Sequence, residues 1–346
     1  MNKKPFSIRS TPSWHLNSAS VTDESSYIRR RQFIQELSLK GGIALSTAGL
    51  LSRDLLRAPQ EVVIPGMPKP SSTASLYPAA RNPLYKSIPK QRTMKEMVGA
   101  TYNTFYEFST KKEEVSKLID GFETRPWEVE VSGLVANPGR FALDDLVRKM
   151  TLEERLYRFR CVEAWSMVIP WTGFPLARLL RLVEPKSEAG YIRFWTLARP
   201  KQMPGIEKYA SWGYKFPYYE GLSINEATND LSFMVTGVYG HELTKQHGAP
   251  IRLVVPWKYG YKSIKSVVKI EFVKERPPTF WNDLYPKEYD FNANVNPEVP
   301  HLRWSQATER VIGTSKRIVT RPYNGYGKQV AHLYAAPKPL PSPKKK

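Results

Sequence analysis

Between residues 127 and 274 the apolar positions change period several times, and strand patterns predominate. Residues 127–133 (WEVEVSG) alternate apolar with polar side chains and close on glycine, which predicts a half-buried strand and a turn. Residues 141–150 (FALDDLVRKM) place Leu143, Leu146 and Val147 on one helical face. Residues 174–183 (FPLARLLRLV) predict a second short amphipathic helix, opened by Pro175. The runs 191–198, 231–239, 251–256 and 266–274 are rich in β-branched and aromatic residues and predict strands. Strands outnumber helices and do not alternate with them. The pattern therefore predicts an α+β fold with mixed sheets rather than a doubly wound parallel sheet. Neither an internal repeat nor a glycine-rich phosphate loop is present.

The two ends read differently from the middle. Residues 1–60 hold a basic cluster, Arg29-Arg30-Arg31-Gln32-Phe33-Ile34, followed by a short apolar run at 41–51. That order is the layout of an export signal, and the paired arginines ahead of Phe33 resemble the twin-arginine type, which predicts a periplasmic protein. An amphipathic helix with a basic start is the other reading. No run is long and apolar enough to span a bilayer. Residues 61–92, rich in Pro and Ser, predict an extended, poorly packed approach segment. Residues 93–335 predict the folded body, and 336–346 a Pro/Lys tail. With 346 residues, 41% of them hydrophobic, the chain supports a sizeable core. The net charge of +20 is partly concentrated in the ends, and no basic stripe with interleaved aromatics suggests nucleic acid as a partner.

Cys161 is the sole cysteine, which excludes an internal disulfide and a zinc site built from several thiolates. Three readings stay open: a buried small hydrophobe, a nucleophile, or a single thiolate ligand to a soft metal. Arg158 and Arg160 precede it, and neighbouring cations favour the thiolate. The five histidines are scattered and no G-x-S-x-G elbow occurs, which argues against a hydrolase. Around the turn 256–260 (PWKYG) stand Arg252, Lys262 and Lys265. They either grip a phosphate or belong to a solvated β-hairpin. Residues 101–107 (TYNTFYE) offer Asn103, Tyr106 and Glu107 to a polar heterocycle, or form a capped turn.

Taken in order, ATYNTFYEF, RFRCVEAWSMVIPWTGFPL, GVYG…HGAPIRLVVPWKYGYKSIKS and FNANVNPEVPHLRWSQATER resemble the sulfite oxidase superfamily of molybdenum enzymes, and within it the bacterial periplasmic protein-methionine-sulfoxide reductases. The resemblance implies a mixed-sheet molybdopterin-binding sulfite oxidase fold over the catalytic domain 93–335. A C-terminal dimerisation domain is not expected, because only the Pro/Lys tail follows Leu333. It implies one Mo-molybdopterin per chain, with Cys161 as the protein ligand to the metal. Glu163 becomes a proton-handling group or, in the plainer reading, the salt-bridge partner of a nearby arginine. Asn103, Tyr106, Glu107, Thr196, His247, Arg252, Ser263, Ile264 and Lys265 match positions that hold the pterin and its phosphate. Three positions depart from the pattern: Thr104 and His247 stand where Asn is common, and Ser263 where Gly is common. At Ser263 the backbone amide is expected to serve the phosphate instead. The implied activity is oxygen-atom transfer from methionine sulfoxide in oxidised periplasmic proteins. Electrons would come from a membrane haem b subunit, and the catalytic subunit would be monomeric. Sulfite oxidation, reduction of other S- or N-oxides, and an exported non-catalytic binder of the same fold are the alternatives.

Overall fold

The computed structural model describes residues 63–85 and 95–334; the arginine cluster 29–34, the apolar run 41–51 and the Pro/Lys tail lie outside the described residues. Within the described residues the strands are β1 (Glu128–Gly133), β2 (Gly139–Ala142), β3 (Glu153–Cys161), β4 (Trp165–Pro175), β5 (Tyr191–Thr196), β6 (Tyr219–Ser223), β7 (Phe233–Val238), β8 (His241–Glu242), β9 (Arg252–Val254), β10 (Val267–Val273), β11 (Thr308–Val311) and β12 (Arg317–Val319). The two longest helices among the described residues are α1 (Leu143–Lys149) and α2 (Leu176–Val183).

The strands form two mixed sheets. One runs β2-β1-β10-β5-β6, with β1 and β10 parallel and the other pairs antiparallel. The second runs β12-β11-β4-β7-β8, with β3 added on β4 and β9 on β7; here β11 and β4 are the parallel pair. The buried faces of both sheets feed one apolar core, to which β5 and β10 give Phe194 and Ile270 and β7 and β9 give Phe233 and Leu253. Helix α1 buries Leu143, Leu146 and Val147, the face its spacing predicts. It carries Asp144 and Asp145 in its first turn and Arg148 and Lys149 in its last, the arrangement its dipole favours. Helix α2 starts at Leu176, because Phe174 and Pro175 still belong to β4.

Three expectations change. Residues 153–175 were not expected as strands, yet β3 and β4 form the longest antiparallel pair. Every position of β4 is buried, so the polar–apolar alternation that marks a half-exposed strand is missing. Residues 251–274 do not form a solvated hairpin either: β9 joins one sheet and β10 the other, and Arg252 and Lys262 are buried. Finally, the approach segment is packed where it is described. Ile64 is buried, Ser71 donates to the Glu242 carboxylate through its backbone and its hydroxyl, and Tyr77 donates to Thr236 Oγ1 (2.7 Å).

Candidate active site

The floor of the site is one face of the β3–β4 hairpin. Alternate residues of a strand share a face, and Phe159 and Cys161 of β3 therefore line the same cavity as Trp165, Met167, Ile169 and Trp171 of β4. Register places Cys161 opposite Trp165 and Phe159 opposite Met167. The hairpin turns through Val162, Glu163 and Ala164, with Ala164 in the left-handed region at φ 58°. A three-residue hairpin loop calls for such a residue at its end. Glycine would adopt it without strain; alanine is held there by hydrogen bonds from Ala164 N to Cys161 O (3.2 Å) and from Arg310 N to Ala164 O (2.9 Å). Trp304 Nε1 and Gln306 Nε2 both donate to Val162 O, at 2.8 and 2.7 Å, so the turn is pinned from behind.

Strand alternation also corrects the expected role of the arginines. Arg158 and Arg160 point to the opposite face from Cys161, where both pair with the fully buried Glu309. Arg160 also donates to the Cys161 carbonyl oxygen. Burial pushes the Cys161 thiol up to about 12, and the Glu163 carboxylate adds to the shift. The Glu163 backbone N–H on the sulfur, then Lys112 and Arg160, pull it down by less. The thiol keeps its proton until an electrophile such as a metal ion replaces it.

The walls come from two loops. In residues 101–112, Asn103 N donates to Lys112 O (3.1 Å), closing a loop that presents Asn103, Tyr106 and Glu107. Gly205 braces this loop by donating to Glu107 O (2.8 Å), at a point where a Cβ would lie 2.2 Å from Tyr106 O. Opposite stand His247, Arg252 and residues 263–265. Gly248, at φ 95°, lets the chain pass against Lys265, where a Cβ would come within 2.5 Å of Lys265 Cβ.

All eleven residues expected at the site, Asn103, Tyr106, Glu107, Cys161, Glu163, Thr196, His247, Arg252, Ser263, Ile264 and Lys265, line this one cavity of about 1020 Å³ including its mouth. Their donors are not all available. Ser263 N donates to Gly260 O (3.1 Å), so the amide expected to serve a phosphate is already engaged. The Ser263 hydroxyl accepts from Val255 N (3.1 Å) and its carbonyl holds Arg252 Nη2 (2.8 Å). Thr196 Oγ1 donates to Lys265 O (2.9 Å). Lys262, grouped with Arg252 and Lys265 by sequence, turns away to the buried Glu220 (2.8 Å). Glu163 pairs with Lys112 (2.6 Å), not with an arginine.

The charge balance of the walls calls for an anion. Arg252 is buried, yet among the described residues its guanidinium donates only to backbone carbonyls: His247 O (2.7 Å), Ser263 O and Leu253 O. Burial alone lowers its pKa to about 9. Burial lowers the Lys265 pKa as well, with Arg252 next in effect, and raises that of Glu107. Buried polar atoms are normally paired, yet Asn103 Oδ1, Thr104 Oγ1 and Trp171 Nε1 have no partner among the described residues. A cavity with one thiol, a buried guanidinium that meets no carboxylate among the described residues, and idle donors and acceptors fits a phosphate-bearing heterocycle with a soft metal.

Sequence reasoning missed Lys112, Tyr218, Tyr261, Trp281 and Tyr289. All but Lys112 line the cavity. Trp281 packs on Tyr106 (5.3 Å between ring centres) and on Tyr289 (5.1 Å), closing one side of the mouth. Aromatics scattered over separate short segments carry no spacing signal, so only the fold brings them together.

A mixed-sheet body around such a cavity defines a molybdopterin-binding oxidoreductase, and residues 116–281 match the family described as "Oxidoreductase molybdopterin binding domain". The chain is 46% identical over 327 residues to the protein-methionine-sulfoxide reductase catalytic subunit MsrP of Xanthomonas axonopodis pv. citri, covering 93% of this chain and 95% of that one. The MsrP of Xanthomonas campestris pv. campestris is also 46% identical, over 92% of this chain and 94% of its own. The chain belongs to the MsrP family of catalytic subunits. Among solved structures, the sulfane dehydrogenase SoxCD from Paracoccus pantotrophus is similar over 44% of this chain and 40% of that one, at 18% identity and a TM-score of 0.37, too slight a likeness to argue from.

Proposed function

We propose that this chain is the catalytic subunit of a molybdenum-dependent reductase that restores methionine from methionine sulfoxide in oxidised periplasmic proteins. The observation that carries the reading is the Cys161 thiol, set in the floor of a cavity whose buried arginine meets only backbone carbonyls among the described residues. The Cys161 sulfur is the ligand offered to the metal. Arg252 and Lys265 would supply the charge for a phosphate, and Asn103, Thr104, Tyr106 and Glu107, which line the same cavity, would hold the heterocycle. Thr196, His247, Ser263 and Ile264 shape the opposite wall, and His247 O and Ser263 O fix the Arg252 fork. When bound, the molybdenum cofactor supplies the two-electron redox chemistry that a sulfoxide requires. The protein excludes water, orients the substrate between Trp281, Tyr289 and Trp165, and holds a carboxylate, Glu163, two residues from the thiol.

The finer assignments extend the same reading. One cofactor binds per chain, since the candidate residues converge on one cavity. Electrons come from a membrane haem b subunit, as the family resemblance implies, and the lack of a glycine-rich dinucleotide fingerprint in the sequence agrees with that. Export by the twin-arginine route delivers a loaded, folded, monomeric catalytic subunit to the periplasm.

The test is the chain matured in a host that makes molybdopterin. Elemental analysis gives about one molybdenum per chain, and oxidised peptide methionine is reduced while sulfite is left alone. Cys161→Ser abolishes turnover, at least a hundredfold, because the hard hydroxyl replaces the soft ligand. Full sulfoxide reduction by Cys161→Ala, or a mature preparation without molybdenum, overturns the assignment.

A further inference from the structure

Lys111 and Lys112 are neighbours with different fates. Lys111 is 74% exposed and pairs with Glu114 three residues on, an arrangement of little energetic weight. Lys112 turns inward, with its side chain 15% exposed, and its ammonium meets Glu163 Oε2 at 2.6 Å. Trp165 Nε1 donates to the same oxygen at 3.2 Å. The second carboxylate oxygen, Oε1, receives no hydrogen bond among the described residues. Glu163 and Trp165 both line the cavity. Two donors from different segments thus grip one oxygen of a carboxylate at the mouth of the site. The Lys112–Glu163 pair also joins the loop that carries Asn103 and Tyr106 to the turn that carries Cys161.

We propose that Lys112 is a positioning residue for the reductase, clamping Glu163 together with Trp165 so that the free carboxylate oxygen faces the bound sulfoxide group. This rests on the functional reading above. A lysine can do so because its ammonium is a compact point charge on a stem long enough to reach across the mouth. Without it, Glu163 would keep only the weaker indole bond and would swing towards solvent.

The experiment uses the holoenzyme with Lys112→Met and Lys112→Arg, each alone and combined with Glu163→Gln. Molybdenum content, the paramagnetic molybdenum spectrum, and kcat and KM for a peptide methionine sulfoxide are measured. Lys112→Met is expected to keep its molybdenum, change the spectrum and lose about tenfold in kcat with KM within about twofold. Lys112→Arg restores most of kcat and the parent spectrum. In the Glu163→Gln background Lys112→Met changes kcat by less than about twofold, since coupled residues are not additive. Parent kcat and spectrum in Lys112→Met overturn the proposal, as does an equal tenfold loss in the Glu163→Gln background. Loss of molybdenum in both lysine variants also overturns it, by showing a structural tie instead. Should the parent hold molybdenum but reduce no sulfoxide, the functional reading falls, and the spectra of the lysine variants still decide the clamp.

Discussion

His247 shows how one residue can link the site to stability. Its imidazole lies beside Thr244 Oγ1 and its carbonyl accepts from Arg252. Burial, and after it the charge of Arg252, lowers its pKa to about 3. Between the ordinary imidazole value of about 6.5 and that depressed value, the unfolded chain binds a proton that the folded chain refuses. Stability is therefore intact above pH 6.5 and falls as pH drops through the window towards 3. At about 1.4 kcal/mol per pH unit, the chain should lose roughly 2 kcal/mol at pH 5 relative to His247→Asn. Urea denaturation of both proteins at pH 7.5 and pH 5 measures the difference, and parallel pH profiles would mean that the folded imidazole takes up the proton. None of this was legible from the sequence, where His247 was one of five scattered histidines and only a family likeness placed it at the site. Cys161 was more legible: it is the sole cysteine, although the arginines beside it proved to face away.

At the scale of elements, the cavity depends on how closely short segments approach. The turn beginning at Gly205 sits directly against the Tyr106–Glu107 backbone. In Gly205→Ala the new methyl must displace one or the other, at a cost of about 1–3 kcal/mol. Because the displaced loop carries Tyr106 and Glu107, molybdenum per chain should fall together with the melting temperature. Unchanged metal content at a lowered melting temperature would separate the brace from the site. Helices α1 and α2 and strand β1 were readable from period, because each has one buried and one wetter face, and β5 and β10 from their β-branched and aromatic residues; β2 and β6 of the same sheet were not read, since neither alternates. The hairpin that holds Cys161 was not. Its β4 strand is buried throughout, and one face of β3 carries Arg158 and Arg160, whose charges read as exposed.

Across the whole molecule, the second sheet is completed by a distant stretch of chain. Strand β11 lies parallel to β4 and brings Glu309 against Arg158 and Arg160, with Gln306, Thr320 and Asn324 accepting further hydrogen bonds from the two guanidinium groups. Two cations around one carboxylate, all shielded from water, tie residues 306–324 to the back of the Cys161 strand. Removing that carboxylate's charge leaves two buried guanidinium groups unbalanced, so Glu309→Gln should cost about 3–5 kcal/mol. Hydrogen exchange should then rise first in β11 and β12, and exchange rising uniformly would locate the loss elsewhere. The sequence by itself determined the class of fold, the single cysteine and the family, because these rest on residue type, local period and long ordered segments. Tertiary structure decided which charges meet: Arg252 on backbone carbonyls, Lys112 on Glu163, Lys262 on Glu220, and the arginine pair on Glu309. Charge pairing is set by distances between segments far apart in the chain, and local patterns carry no record of those distances.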